Sequence, residues 1–125
     1  MRKAKQDEVT VEKLLTDPDS SDEIIGFHAR QAVEKCLKGM LAEHEIDYPY
    51  VRDLQALMQL VRRHKISFPE GLEEARRLTP FAAIMRYEEF PSDDPQLALD
   101  REWAINCVRQ IRAWAESLLR AKHDG

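Results

Sequence analysis

The stretch SDEIIGFHARQAVEKCLKGMLAEH, residues 21–44, decides the architecture. Ile25, Ala29, Ala32, Val33, Cys36 and Met40 recur at the three- and four-residue steps that bring side chains to one side of an α-helix. His28, Gln31, Lys35 and Lys38 fall on a different stripe of the same helix. A helix with one apolar and one polar face needs other helices to cover the first, and leaves the second for water, ion pairs or a ligand. Just upstream, Asp17-Pro18-Asp19-Ser20-Ser21-Asp22 gathers turn and N-cap residues with no apolar period, so the chain breaks there before this helix starts.

The same spacing continues on both sides. Residues 3–15 place Ala4, Val11, Leu14 and Leu15 on one arc, with Asp7 and Glu8 inside the stripe, and read as a first helix. After the second helix, Ile46-Asp47-Tyr48-Pro49-Tyr50-Val51 is a loop, because Pro49 disfavours helix in the residue before it and lacks the amide a helix would use. A third helix runs from Asp53 to near Lys65, with a buried edge of Leu54, Leu57, Met58 and Val61. Pro69 suits the first turn of a fourth, which carries Leu72, Ala75 and Leu78; Thr79-Pro80 then reads as a fresh cap and first residue, restarting or kinking the helix through Met85.

An acidic loop, Glu88 to Asp94, precedes the last helix, N-capped by Asp100 and extending to near Lys122, with Asp94-Pro95 as an earlier alternative start. Trp103, Ala104, Cys107, Ile111, Trp114, Ala115 and Leu118 share one arc of it, and Arg101, Arg109, Arg112 and Arg120 the adjoining one. The expectation is an all-α, up-and-down bundle of about five helices forming a single domain over residues 1–125.

Composition narrows the function classes. A chain of 125 residues with four Gly and six Pro is one domain long and has few sites for hairpin turns. Its formal charge of −4 argues against a protein that coats nucleic acid electrostatically. No apolar run approaches the roughly 18 residues of a membrane helix, and the start, MRKAKQDEVTVEKLL, is charged throughout, so a cytoplasmic protein with no membrane partner is expected. Cys36 and Cys107 have neither a CxxC nor a His at metal-ligand spacing and read as core thiols. Phosphate loops, nucleophile elbows and HExxH are absent, so neither cofactor nor metal is expected. The Arg stripe of the last helix is interleaved with Glu102 and Glu116 and reads as an ion-paired face. Trp103 and Trp114 lie in line on that helix, more indole than a small core holds, which points to a homodimer in which at least one packs against a second copy.

The run Gly26-Phe27-His28-Ala29-Arg30-Gln31-Ala32-Val33-Glu34-Lys35-Cys36-Leu37-Lys38 closely resembles the helix-two signature of the HEPN family, the nucleotide-binding domains of higher eukaryotes and prokaryotes. Ala4, Asp7 and Leu14-Leu15 resemble that family's first helix, Asp53-Leu54 with Leu57 its His-Asp-Leu start, and Arg86-Tyr87 with Pro91 a stretched form of its Arg-Tyr-Pro. The resemblance implies a helical bundle, commonly dimeric, often paired with a minimal nucleotidyltransferase in a two-gene toxin–antitoxin module. Many members are metal-independent ribonucleases, in which an Arg is followed after about four to six residues by a His that acts as acid or base while the Arg holds phosphate.

This sequence departs from that pattern. None of His28, His44, His64 and His123 has an Arg at the required distance before it; Arg86 reaches Phe90 or Pro91 instead, and Arg52 stands where the family often has His before Asp-Leu. The resemblance therefore implies a non-catalytic nucleotide-binding or partner domain whose ligand is a nucleotide or RNA. Its site residues are Asp7, His28, Gln31, Lys35, Asp53, Arg86 and Tyr87, with Lys35 and Arg86 meeting phosphate, and His28 and Gln31 hydrogen-bonding a base or ribose. Structural roles stand beside these: Asp7 pairing with Lys35 between helices one and two, and Tyr87 capping the core. Two alternatives remain open, a ribonuclease rebuilt around Arg86, His28 or Arg52, and a purely structural adaptor.

Overall fold

Ser21 sets where the central helix begins. Its backbone is extended and its Oγ accepts a hydrogen bond from the Ile24 amide at 3.3 Å, satisfying an N–H that the first turn would otherwise leave without a partner. Asp22 and Glu23 follow, carboxylates placed at the positive end of the helix dipole. The computed structural model describes residues 2–48, 54–66, 68–86 and 99–124. Among them the regular structure is helical, without strand: α1 (Arg2–Leu15), α2 (Asp22–Glu43), α3 (Leu54–Arg63), a 3₁₀ helix (Glu70–Arg86) and α4 (Arg101–Asp124). The protein is an all-α bundle.

Two helices end in the same way. After α2, Glu45 takes the left-handed conformation with φ 57°; its amide donates to the Ala42 carbonyl at 3.0 Å, and the Ile46 amide donates to Leu41 at 2.9 Å. After α3, Lys65 has φ 61°, its amide donates to Arg62 at 2.9 Å, and the Ile66 amide donates to Val61 at 3.2 Å. These are Schellman ends, in which the last carbonyls are satisfied and the following apolar residue turns back onto the core. Ile46 and Ile66 do so. The tripeptides His44-Glu45-Ile46 and His64-Lys65-Ile66 thus terminate their helices with a charged residue where glycine would be unstrained.

The core is built around α2, which packs against α1, α3, the 3₁₀ helix and α4. Its buried stripe is the one the spacing predicts, from Ile25 through Ala29, Val33 and Cys36 to Met40, joined by Leu37 and Leu41. Each fully buried Leu or Ile contributes about 1.5–3 kcal/mol over an exposed one, so this helix carries much of the bundle's hydrophobic stabilisation. Leu54, Leu57, Met58 and Val61 form the buried edge of α3 as expected. Trp103 and Trp114 are partly buried at the edge of the core, Trp114 meeting Phe68 edge-on at 5.1 Å and Trp103 lying under the Arg77 guanidinium at 5.1 Å. Both indoles therefore have neighbours within the chain. Ion pairs Arg109–Glu12 and Arg112–Glu8 run in opposite order along α4 and α1, so these helices are antiparallel.

The fourth segment differs from its reading in the sequence. The helix does not stop and restart at Thr79-Pro80; one 3₁₀ helix runs through both. Its buried residues, Leu72, Ala75, Leu78 and Phe81, come every third position. With three residues per turn such a series forms a single straight row, on a helix that packs against α2, α3 and α4. Thr79 does act as a cap, but for another helix: its Oγ1 accepts the Leu54 amide at 3.2 Å and so closes the start of α3. Asp100 caps α4 as expected, accepting the Trp103 amide at 3.1 Å. The acidic loop and the alternative start at Asp94-Pro95 lie outside the described residues, and no helix among those described is long and apolar enough to cross a membrane.

Candidate functional site

Asp7 lies one helical turn beyond Ala4 on α1 and faces α2, where it sits between two of that helix's polar residues. One carboxylate oxygen, Oδ1, is 3.3 Å from His28 Nδ1, and the other, Oδ2, accepts from Lys35 Nζ at 2.5 Å. His28 and Lys35 are seven positions apart on α2 and share a face, with Gln31, half-buried, between them. The carboxylate is largely enclosed while the imidazole and ammonium are partly open to solvent. Phe27 meets the His28 ring edge-on at 5.4 Å. The cluster is therefore held from one side by helix α1 and by an aromatic neighbour.

Four of the seven residues singled out in the sequence come together here: Asp7, His28, Gln31 and Lys35. Arg86 is the last residue of the 3₁₀ helix. Asp53 and Tyr87 lie outside the described residues. The pairing of Asp7 with Lys35 between the first two helices is present as the structural role foresees. An imidazole whose Nδ1 sits on a carboxylate keeps Nε2 as its second hydrogen-bonding position, and a Lys beside it supplies positive charge. Such a group can bind a polar, anionic ligand, with Asp7 and the ligand competing for the Lys35 ammonium.

A second ionic system was only partly visible in the sequence. Glu8, next to Asp7, is 1% exposed, and both its oxygens accept from Arg112 at 3.0 Å, with Lys5 adding a contact at 2.9 Å. Burial alone would push the Glu8 carboxyl up, but the hydrogen bonds from Arg112 and Lys5 reverse that and hold it below the ordinary carboxylate range. Glu8 in turn, with Glu116, keeps the Arg112 guanidinium more firmly protonated than usual. Arg112 also pairs with Glu116 at 2.8 Å, Arg109 with Glu12 at 3.3 Å, and Arg101 with Asp22 at 2.6 Å and the Ser20 carbonyl at 2.7 Å. The Arg stripe of α4 is thus largely an ion-paired seam against α1 and the start of α2. The signal for Glu8 was its place inside an apolar stripe, where a carboxylate requires a buried partner.

On α2 itself, Glu34 accepts from Arg30 Nη1 at 2.7 Å and from Lys38 at 2.6 Å, pairing one end of the guanidinium of a residue only 2% exposed. Burial pushes the Cys36 and Cys107 thiols up to about 12 each, the state of inert core sulfur. Among the described residues no group of His, Cys, Asp or Glu is placed to hold a metal ion. A family model described as HEPN domain matches residues 1–118 of the chain. No curated protein and no solved structure matches it.

Proposed function

The chain belongs to the HEPN family, and we propose that it is a non-catalytic nucleotide-binding domain that associates with itself and with a minimal nucleotidyltransferase, as one half of a toxin–antitoxin module. At the family level it is a nucleotide-binding or ribonuclease-like domain. The observation that carries the proposal is the polar cluster in which one enclosed carboxylate, Asp7, holds both His28 and Lys35 on the face of α2 that also bears Gln31. Its chemistry suits a phosphorylated ligand: Lys35 to phosphate, His28 and Gln31 to a sugar or base, and Arg86 as a second phosphate contact. The missing Arg-to-His pair supports binding over cleavage.

Thermal unfolding of the purified chain with AMP, ADP, ATP or GMP tests the binding. A ligand present at 100 times its Kd stabilises by about 2.7 kcal/mol, a shift that Lys35→Ala should abolish. No shift at millimolar concentrations of any of them would leave a structural adaptor as the better reading. For the assembly, sedimentation equilibrium should give a mass near twice 14.6 kDa, and co-expression with the neighbouring reading frame should yield a complex.

One feature favours a second reading, a metal-independent ribonuclease with a divergent site. His28 placed on Asp7 is the arrangement of an imidazole oriented for general acid–base work. Cleavage of total or transfer RNA that persists in chelator and disappears in His28→Ala and in Arg86→Ala would replace the non-catalytic assignment.

A further inference from the structure

Beyond Lys35 the same face of α2 continues with Lys38, Gly39 and Ala42, at steps of three and four residues. The first turns of α1 bring Lys3 and Ala4 alongside, and Tyr48, past the end of α2, closes the far end of an open groove of about 380 Å³. That size falls within the span of about 300–1,000 Å³ common to small-ligand sites. Gly39, Ala42 and Ala4, with the smallest of side chains, line it as well. Three ammonium groups line it and no carboxylate does, on a chain whose formal charge is −4. Asp7 and Glu34 stand behind the groove and anchor Lys35 and Lys38 at 2.5 Å and 2.6 Å. Tyr48, at 37%, is the exposed large hydrophobic among the described residues, and Lys38 Nζ lies 5.8 Å from its ring centre.

A cluster of ammonium groups ending on an exposed aromatic ring matches one kind of ligand, an aromatic base joined to phosphate. We propose that this groove is the base-and-phosphate half of the nucleotide site, with the base stacked on Tyr48 and the phosphate oxygens shared by Lys3, Lys35 and Lys38; this rests on the nucleotide-binding reading above. Lys35 belongs to both the groove and the Asp7 cluster. With the base on Tyr48, Gln31 and His28 on the phosphate's far side meet the sugar or base of a second nucleotide when the ligand is an RNA, and the further phosphates in place of a base when it is a nucleoside triphosphate.

Isothermal titration of the full chain with AMP, ATP, adenosine, ribose 5-phosphate and the dinucleotide ApA tests the assignment. Both adenosine and ribose 5-phosphate should bind on the order of ten-fold more weakly than AMP, because each lacks one half of the recognised pair. Tyr48→Ala should weaken AMP by about ten-fold and Tyr48→Phe by little, since stacking needs only the ring. Lys3→Gln and Lys38→Gln should each weaken AMP by about five-fold while leaving adenosine unchanged. A gain from AMP to ApA that His28→Ala removes identifies an RNA end as the source of the ligand; a gain from AMP to ATP identifies the free nucleotide. Affinity for AMP unchanged in Tyr48→Ala and in both Lys variants would overturn the groove and leave the nucleotide-binding reading standing. No binding of any of these ligands by the wild-type chain would overturn both.

Discussion

Replacing Gly26 with alanine should destabilise the protein, although alanine is the better helix former. Gly26 is buried in α2, and a Cβ built on it would lie 2.6 Å from both Cγ and Cε1 of Phe81, with Cδ1 nearer still. Because Cγ is the root of the ring, swivelling about the last torsion does not clear the contact. Phe81, 2% exposed, belongs to the buried row of the 3₁₀ helix, so the ring must push that helix away from α2. In an open helix the change would gain about 1 kcal/mol. Overpacking a filled core costs about 1–3 kcal/mol, and contacts this short belong at or above the upper end. The expected net loss is about 2 kcal/mol, or roughly 8 °C in Tm for a chain of this length.

Urea and thermal unfolding followed by far-ultraviolet circular dichroism measure it, and a second background makes the reasoning exposed to failure. In Phe81→Ala, kept folded with sucrose, the obstacle is gone and Gly26→Ala should become stabilising by up to about 1 kcal/mol. A Gly26→Ala protein as stable as wild type, or the same sign in both backgrounds, would refute the argument. The same displacement would shift Arg86, five residues beyond Phe81, so the variant should also lose nucleotide affinity if Arg86 contacts phosphate.

Three further outcomes follow from the ionic seam, the thiols and the helix ends. Glu8→Gln should cost about 3 kcal/mol by urea unfolding, because it breaks the buried two-point pairing with Arg112 and leaves that guanidinium with Glu116 as its remaining carboxylate. Glu8 has a lowered pKa in the folded state, so its contribution is fully present above the unfolded value of 4.5 and is lost as pH falls below it; acid titration of stability should be shallower in Glu8→Gln. Cys36 and Cys107, with thiols pushed up to about 12, should resist iodoacetamide in the native protein at neutral pH and both react in urea; rapid native labelling would contradict their burial. Glu45→Gly and Lys65→Gly should each raise stability, by roughly 0.5–1 kcal/mol once glycine's own entropic cost is subtracted from the relief at positive φ.

How far the residues disclosed the molecule depended on how local the cause was. Ser21 and His44 mark the ends of α2 as the spacing and caps predict, because a cap is made by a side chain and the amides of its own first turn. Leu72, Ala75 and Leu78 suit an α-helical stripe in the sequence; spacing by threes fits a 3₁₀ row equally well, and only Phe81 as a fourth member tips the balance. The Thr79 hydroxyl has the chemistry of a cap, but its recipient lies 25 positions away and no local pattern identifies it. Glu8 stood out as a carboxylate among apolar neighbours, whereas Arg112, 104 positions on, became its partner through the packing of α1 on α4.

The site divides in the same way. Asp7 and Lys35 could be paired from the stripes of two adjoining helices, and the shared contact to His28 follows from the same docking. Lys3 and Tyr48 had no signal in the sequence, since neither belongs to the helix-two run, and they meet only because the start of α1 reaches the end of α2. The family resemblance, by contrast, was legible nearly end to end, and the match over residues 1–118 agrees with it.

The bond from Leu54 to Thr79 also bears on how the bundle assembles. At 10 residues α3 is shorter than the roughly 12–15 that hold a helix in water alone, and one of its first amides depends on a hydroxyl in a later segment. Closing that loop joins α3 and the 3₁₀ helix into one cooperative unit. Amide hydrogen exchange should therefore show the two opening together, separately from α2, and Thr79→Ala should speed exchange at Leu54 and along α3 before it touches the centre of the bundle.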